Sequence, residues 1–521
     1  MSSTTGVWQL TRFGLRRDRV LIGAWTLVLV GLCYASAAAV PSLYPTAANR
    51  VAAADALNAS PAIVALYGPI RDVHSLGELA MTKATVLYAV LLAALVALVV
   101  RRHTRGDEEA GRAELLGGTA LGRDAMLTAA VAEGVVVSLL VGGLATLADL
   151  AAGLAVSGSL AFGASWAGVG MVAAGLTVSL CQLSASARTC AGATAGVLGA
   201  LYLLRAVGDV SVPWLGWFSP FGWSSRLRAW SDPRWWVLGL YAVATVGLLL
   251  VAGALRSRRD LGAGLLAPRP GPPIGSPRLS SALTLALRLH AVALLTWTVA
   301  TAAAGLVLGA VVPNIGGLLD SAPAREVLGR LGGAGALQET VLAAELSVAA
   351  VVVTCFAITV VGRGGADEED GRTEALLATA TSRTRAWVAT LVLALAGAVW
   401  LMAVAGTGLA LGYGAGASRV VAAAMGQVPA VFLVGALVVT AYSVRRGLSA
   451  AGWGLLALFV TLGQVGEALR LPRWVVDVSP YAHAPRMPVE PFAIAPAATM
   501  TVLGVLVLGC GCTAFRRRDI G

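Results

Sequence analysis

Charged residues are scarce in this sequence. Only 12% of the 521 residues are Asp, Glu, Lys or Arg, whereas 57% are hydrophobic, and the mean hydropathy is +0.79. A soluble protein carries about 25% charged residues. The deficit excludes a soluble globular fold and predicts an integral membrane protein.

Lysine and histidine are rarer still, which limits the chemistry that the chain can perform. The single lysine is Lys83, and no G-x-x-x-x-G-K-[ST] motif is present to hold nucleotide phosphates. The four histidines, His74, His103, His290 and His483, are scattered, and none pairs with another at metal-ligand spacing. We therefore predict that the chain is not an enzyme and carries no catalytic residue, cofactor or metal of its own.

Cysteine is also too sparse and too deeply placed to form a disulfide framework. All six cysteines fall within or at the ends of apolar runs: Cys33, Cys181, Cys190, Cys355, Cys510 and Cys512. The last two form an isolated C-x-C without further ligands nearby, so we do not predict a metal site there.

Long apolar runs are what the sequence has in abundance. A helix of about 20 apolar residues crosses roughly 30 Å of hydrocarbon. We predict twelve such spans, at 20–40, 80–100, 126–149, 164–183, 189–208, 235–255, 290–312, 341–361, 386–410, 419–443, 448–466 and 495–514. The fold class is therefore all-α and polytopic.

The basic residues predict the orientation of these spans. If the N-terminus is cytoplasmic, 25 of the 38 Lys and Arg residues lie in segments on the inner side. The positive-inside rule then places both termini in the cytoplasm. The net charge of +11 is accounted for by this topology, and without a soluble domain we expect no nucleic-acid partner.

One polar segment occurs twice. Gly106 to Arg123 reads GDEEAGRAELLGGTALGR, and Ala366 to Arg383 reads ADEEDGRTEALLATATSR; we call these the first and second polar islands. Ten residues recur 260 positions later: Asp107, Glu108, Glu109, Gly111, Arg112, Glu114, Leu116, Thr119, Ala120 and Arg123. Each island lies between two apolar runs. The repeat therefore predicts that the two islands have the same function.

The composition of each island predicts a charged helix. Three acids would open it, where the helix dipole favours negative charge. Glu108 with Arg112, and Glu368 with Arg372, have the i, i+4 spacing that favours a pair with the acid first.

Further repeats divide the chain into two halves of six spans. Each half ends on one signature, Arg259-Asp260-Leu261-Gly262 and Arg518-Asp519-Ile520-Gly521. A linker with five prolines in its last ten residues follows the first copy, and we expect it to be extended and flexible. We predict a first half at 1–262, a cytoplasmic linker at 263–277 and a second half at 278–521.

Three further local patterns give structural predictions. Val7 to Arg19 predicts a helix lying in the membrane interface, with a disordered basic tail as the alternative. Six tryptophans between Trp214 and Trp236 predict a broken pair of helices, too short to cross, between the fifth and sixth spans. Gly192 and Gly196 form a G-x-x-x-G that permits close helix contact, although chance spacing explains it equally well.

Two acids fall inside the predicted third span, Glu133 and Asp149. An ionisable group within the bilayer costs about 2.5 to 3.5 kcal/mol on insertion scales, so we expect such a group to be turned inward or paired. A proton relay is the alternative for Glu133. The residue 260 positions later is Leu393, so the feature is not repeated.

The whole layout resembles the type-2 ATP-binding-cassette exporter permease. The resemblance rests on the interfacial N-terminal helix, a long first external loop, the charged island between spans two and three, the broken segment between spans five and six, and the basic C-terminus. The doubled islands GDEEAGRAELL and ADEEDGRTEALL more closely resemble the fused twelve-span permeases described as exporters of polyketide antibiotics in actinobacteria.

This resemblance implies a bacterial plasma-membrane permease served by two copies of a separate ATPase subunit, which would bind the ATP and Mg. In such exporters the island helix docks on the ATPase. The docking candidates carried over are Asp107, Glu108, Glu109, Arg112 and Glu114 in the first island, and Asp367, Glu368, Glu369, Arg372 and Glu374 in the second. A solvated helix inherited by duplication is the plain alternative.

The resemblance implies a hydrophobic or amphipathic cargo, such as a drug or polyketide, or else a lipid or glycolipid. By analogy spans two, five, eight and eleven would line the pathway, with Thr85, Tyr88 and Glu345 as candidates. Two other classes stay open. A proton-coupled major facilitator has six plus six spans and an acid, Gly and Arg in a repeated loop, and a receptor or scaffold would need no transport.

Overall fold

The chain folds into α-helices throughout the part that the structure describes. The structure is a computed structural model that describes residues 3–260, 262–266, 274–313, 334–465 and 472–519, and these ranges contain no strand. They include twelve helices long and apolar enough to cross a membrane. The prediction of an all-α polytopic membrane protein is confirmed.

The twelve spans match the predicted positions, and most of them are longer than predicted. In chain order they run Arg19–Pro41, Leu76–Glu109, Ala125–Ala151, Val156–Leu180, Ala187–Val210, Val237–Arg256, Ala282–Val311, Gln338–Glu369, Arg383–Tyr413, Ala417–Val444, Arg446–Gly463 and Ile494–Arg517. The second and eighth spans are the most extended, because their helices continue past the apolar run into the acids of the polar islands.

Contacts between Cα atoms divide the chain into Met1–Gly271 and Pro272–Gly521, and we use "first half" and "second half" for these units. The boundary falls within the predicted linker 263–277. Of that segment the structure describes 263–266 and 274–277. The start of the linker is hydrogen-bonded to the loop after the fourth span, because the backbone N–H groups of Leu265 and Leu266 donate to the carbonyls of Gln182 and Leu183.

The fourth span forms the centre of the first half. It packs against the second, third and sixth spans, and its Trp166 is fully buried, with Nε1 donating to the carbonyl of Ala84 at 3.0 Å. The third and fourth spans cross with glycine against glycine. A Cβ added to Gly142 would lie 2.4 Å from the Gly163 carbonyl oxygen, so only glycine allows this approach.

The second half has its own core, around the eighth, ninth and tenth spans. The seventh and ninth spans also meet through glycines. A Cβ on Gly305 would lie 2.8 Å from the Ala405 carbonyl oxygen, and one on Gly408 would lie 2.7 Å from that of Ala302. The predicted G-x-x-x-G makes no such contact, since a Cβ on Gly192 or Gly196 would meet nothing within 4 Å.

The predicted interfacial helix is present as Val7–Arg17. Its Thr11 and Gly14 are buried where it packs on the third span, whereas Trp8 and Phe13 are exposed. The helix therefore presents aromatic side chains away from the bundle, as a helix at a membrane interface does.

The described loops on either side of the spans contain short helices. Ser60 caps the helix Pro61–Tyr67 by accepting from the N–H of Ile63. Two short helices, Pro213–Phe218 and Pro220–Leu227, form the broken segment after the fifth span. Leu261, Ile520 and Gly521 of the terminal signatures lie outside the described residues.

We predict that Gly142→Val destabilises the first half, because its side chain would overlap backbone atoms of the fourth span. Overpacking of this kind costs about 1 to 3 kcal/mol. The measurement is the thermal unfolding midpoint of the purified protein in detergent. Gly143→Val is the matched control, because a Cβ at Gly143 would meet nothing within 4 Å. Equal midpoints for the two variants would contradict the packing.

Candidate functional site

Each polar island is an elbow that ends one helix and starts another. The helix of the second span ends at Glu109, and a short helix, Arg112–Gly117, begins after Gly111. Gly111 has a φ of 71° and Gly371 has a φ of 72°, in the left-handed region that favours glycine. The repeated glycine is therefore the residue that ends the helix in both copies.

The prediction that three acids open a helix is wrong. Asp107, Glu108 and Glu109 close the second span, so they lie at the end of the helix where the dipole opposes negative charge. Arginines from other parts of the chain offset this cost, as described below. The composition of the island indicated the other end of a helix, because acids favour a helix start, and the positive φ of Gly111 that ends this helix is not visible in the sequence.

The expected i, i+4 pair does not form in either island. Arg112 Nε instead donates to Asp107 Oδ1 at 2.7 Å, and Arg372 Nε donates to Asp367 Oδ1 at 2.8 Å. The turn at each glycine carries the arginine away from the glutamate. The hydrogen bond with Asp367 raises the pKa of Arg372 above its ordinary value.

Glu108 is bound by two arginines. Arg259, from the terminal signature of the first half, donates to both carboxylate oxygens at 2.7 and 3.0 Å. Arg105 donates to Oε2 at 2.7 Å and is itself fully buried, with further bonds to the carbonyls of Cys181, Gly262 and Ala263. The first island is thus joined to the segment that follows the sixth span.

Glu368 is bound in the same way from the end of the second half. It is buried, and its Oε1 accepts from the Arg518 guanidinium and from the Tyr442 hydroxyl, the latter at 2.6 Å. Arg518 also donates to the Tyr442 carbonyl at 2.5 Å. The two terminal signatures therefore serve one purpose, which is to pair the middle acid of each island.

The remaining candidates separate into buried and exposed groups. Asp107 is buried and accepts from Arg17 at 3.1 Å, which ties the first island to the N-terminal helix. Glu109 is exposed, although its Oε2 accepts from the N–H of Ala187 at the start of the fifth span. The exposed candidates are Glu109, Arg112, Glu114, Glu369, Arg372 and Glu374, whereas Asp367 is half-buried. Leu115, at 78% exposed, adds an apolar side chain to this surface.

The three substrate-pathway candidates lie in different surroundings. Thr85 is half-buried, donates to the Met81 carbonyl at 2.8 Å and lines a cavity of about 20 Å³, which is too small for a drug. Tyr88 packs against the core of the first half. Glu345 in the eighth span is half-buried, and its Oε2 has no hydrogen-bond partner among the described residues. The structure does not bring them into one described cavity.

Comparison with known proteins gives the class. Residues 279–516 match the family model described as the multidrug efflux system permease Rv1217c, C-terminal domain. The multidrug efflux system permease protein Rv1217c of Mycobacterium tuberculosis (strain ATCC 25618 / H37Rv) is 39% identical over 529 residues, an alignment that covers 100% of this chain and 96% of the relative. The chain belongs to the Rv1217c multidrug efflux permease family. The prediction of a multi-pass membrane permease for efflux is confirmed.

Sequence reasoning missed the partners of the island acids. In the sequence Arg259 and Arg518 are parts of a repeated ending. Because this ending and the island both recur, the sequence did carry a signal that the two could pair. Arg105 had no such signal, because the residue 260 positions later is Gly365. In this permease Glu133 is buried, as the sequence predicted for an acid inside a span, but nothing in the sequence indicated that Asp18 and His103 lie beside it, as described below.

We predict that Arg259→Glu destabilises the first half, because it leaves Glu108 in a nearly buried site with one arginine lost and a new acid beside it. Removing one partner of a buried pair costs about 3 to 5 kcal/mol. The thermal unfolding midpoint of the purified permease measures the loss. The exchanged pair Glu108→Arg with Arg259→Glu should recover part of it, and a double variant that is as unstable as the sum of the singles would contradict a direct pair. Arg258→Glu, at an exposed neighbouring position, is the control.

Proposed function

We propose that this permease is the membrane subunit of an ATP-driven exporter, energised by two copies of a separate ATP-binding-cassette ATPase that bind ATP and Mg. The observation that carries the proposal is the pair of equivalent polar islands, each held by an arginine from the end of its own half. Two identical ATPases need two similar docking surfaces. The chain itself serves transport and hydrolyses no ATP.

The orientation follows from this arrangement. Both islands, both termini and the linker lie on the cytoplasmic side of the bacterial plasma membrane, which agrees with the distribution of basic residues. Each half then presents one island to one ATPase, and the predicted linker 263–277 connects the predicted six-span segments 1–262 and 278–521.

Docking uses the exposed members of each island. Both signs of charge are offered at the elbow where a long span ends and a short helix begins, by Glu109, Arg112 and Glu114 in the first copy and by Glu369, Arg372 and Glu374 in the second. Charged groups at a wet interface set register and partner choice more than affinity. Asp107, Glu108, Asp367 and Glu368 hold the surface in place from beneath.

The ion pairs Glu108–Arg259 and Glu368–Arg518 transmit a displacement of an island to the membrane spans. In the first half, Glu108 is the last turn of the second span and Arg259 follows the end of the sixth span. A displacement of the island therefore moves both helices together. Glu368 and Arg518 join the eighth and twelfth spans in the same manner.

The cargo is a small hydrophobic or amphipathic compound, such as a drug or a polyketide antibiotic. The support is the name of the relative, a multidrug efflux permease, together with the apolar composition of the spans. Membrane lipid surrounds the spans, and a lipid or glycolipid cargo is the second candidate.

Energy coupling separates this proposal from a proton-coupled transporter. In vesicles that contain the permease and its ATPase, we expect efflux of a hydrophobic dye to continue when an ionophore collapses the proton gradient and ATP is kept. Efflux should stop when a non-hydrolysable ATP analogue replaces ATP. The opposite pattern would identify a proton-driven transporter.

We predict that Glu114→Arg with Glu374→Arg abolishes ATPase binding and ATP-driven efflux without loss of stability. Neither carboxylate has a side-chain partner among the described residues, so charge reversal leaves the fold intact while it opposes the partner's surface. Copurification of the ATPase, dye efflux and the unfolding midpoint are the measurements. Asp55→Arg with Glu490→Arg makes the same charge change on exposed residues of predicted outer segments. Efflux at the level of this control would refute the docking surface.

A further inference from the structure

Three ligand-type side chains from distant parts of the first half converge beside the first polar island. They are Asp18, between the N-terminal helix and the first span, His103, near the end of the second span, and Glu133, in the third span. One ligand atom from each lies within 4.8 Å of the other two. His103 Nε2 is 2.9 Å from Asp18 Oδ2 and 3.5 Å from Glu133 Oε2.

The three side chains are removed from water. Asp18 and Glu133 are each 1% exposed, and the His103 side chain is 9% exposed. One ring N–H cannot point at two carboxylates, and Glu133 Oε1 has no hydrogen-bond partner among the described residues. A buried carboxylate oxygen without a partner is costly. A cation that contacts both acids and the imidazole would satisfy what the single N–H cannot.

The surroundings are shaped to seat the Glu133 carboxylate. A Cβ on Gly14 of the N-terminal helix would lie 2.3 Å from Glu133 Oε2, so glycine makes the space. The outer partners also suit a metal centre. His103 Nδ1 lies 3.5 Å from Asp107 Oδ2, and Arg102 lies 2.7 Å from Asp18 Oδ1. A carboxylate on the second ring nitrogen orients histidine ligands of metals.

We propose that Asp18, His103 and Glu133 bind a divalent transition-metal ion, with zinc as the first choice. One imidazole and two carboxylates are ligands that zinc accepts, at about 2.0 to 2.2 Å, with a fourth position left for water. The ion would fasten the N-terminal helix to the second and third spans, next to the acid that begins the island. This metal site stands apart from the exporter proposal, because its test needs neither cargo nor ATPase.

The second half offers a natural control. Before the first external loop the repeat has an offset of 272, because Leu15-Arg16 and Trp25-Thr26 recur as Leu287-Arg288 and Trp297-Thr298. By this offset Asp18 corresponds to His290, and by the offset of 260 His103 and Glu133 correspond to Arg363 and Leu393. These three residues cannot form the same ligand set. We therefore expect one metal ion per chain, in the first half.

The test is metal content of the full-length permease in detergent. After a chelator strips the protein, it is re-equilibrated with Zn²⁺, freed of excess ion and analysed by elemental mass spectrometry. We expect one zinc per chain in the wild type and in His290→Gln, and loss of that zinc in His103→Gln and in Glu133→Gln. Zinc should also raise the unfolding midpoint of the first two proteins and leave that of the other two unchanged.

Asp107→Asn keeps the three ligands and removes the carboxylate charge beside the His103 ring, together with the ion pairs that Asp107 makes with Arg17 and Arg112. Loss of an outer-shell partner weakens metal affinity about 10- to 100-fold, so a titration should show that shift. This variant also decides the matter if the ligand variants fail to fold, because unchanged affinity would contradict the site. A stripped wild type that takes up neither Zn²⁺ nor Mn²⁺, or uptake unaffected by both ligand variants, would overturn the proposal.

Discussion

Each half holds an acid at the C-terminal end of a long helix, the end that is unfavourable for a negative charge, and the rest of the half is arranged around it. Glu108 and Glu368 occupy the last turn of a long span, where the helix dipole and burial both oppose a negative charge. An arginine from the end of the same half forms an ion pair with each of these acids. Burying an ion pair costs desolvation of both charged partners. Its recurrence in the second half therefore indicates a role in positioning the island rather than in stability alone.

The two copies reach this arrangement by different means. The first half surrounds Glu108 with Arg105 and Arg259, and Gln182 Oε1 accepts from Arg259 Nε at 2.7 Å. In the second half Gly365 corresponds to Arg105, and Tyr442 corresponds to Gln182. The tyrosine hydroxyl then donates to Glu368 directly. One arginine and one neutral donor replace two arginines, and the acid stays paired.

The halves differ more strongly beside the islands than within them. In the first half the N-terminal helix is fastened by Arg17 to Asp107, and Asp18, His103 and Glu133 meet behind it. In the second half the corresponding N-terminal portion is continuous with the seventh span, Ala282–Val311. The two halves therefore keep their polar islands alike, while the first half alone has this separate polar centre.

Much of this permease follows from its sequence. Apolar length and the scarcity of charge determine the twelve spans, because a helix in hydrocarbon must satisfy its own backbone, and the 260-residue repeat determines where the two islands lie. The tertiary structure alone decided that the island acids end a helix, since Gly111 and Gly371 turn at a positive φ that spacing does not reveal. It also decided that Arg259 meets Glu108, that Arg518 meets Glu368, and that Asp18, His103 and Glu133 converge. These contacts join residues 30 to 151 positions apart, beyond the reach of any local pattern.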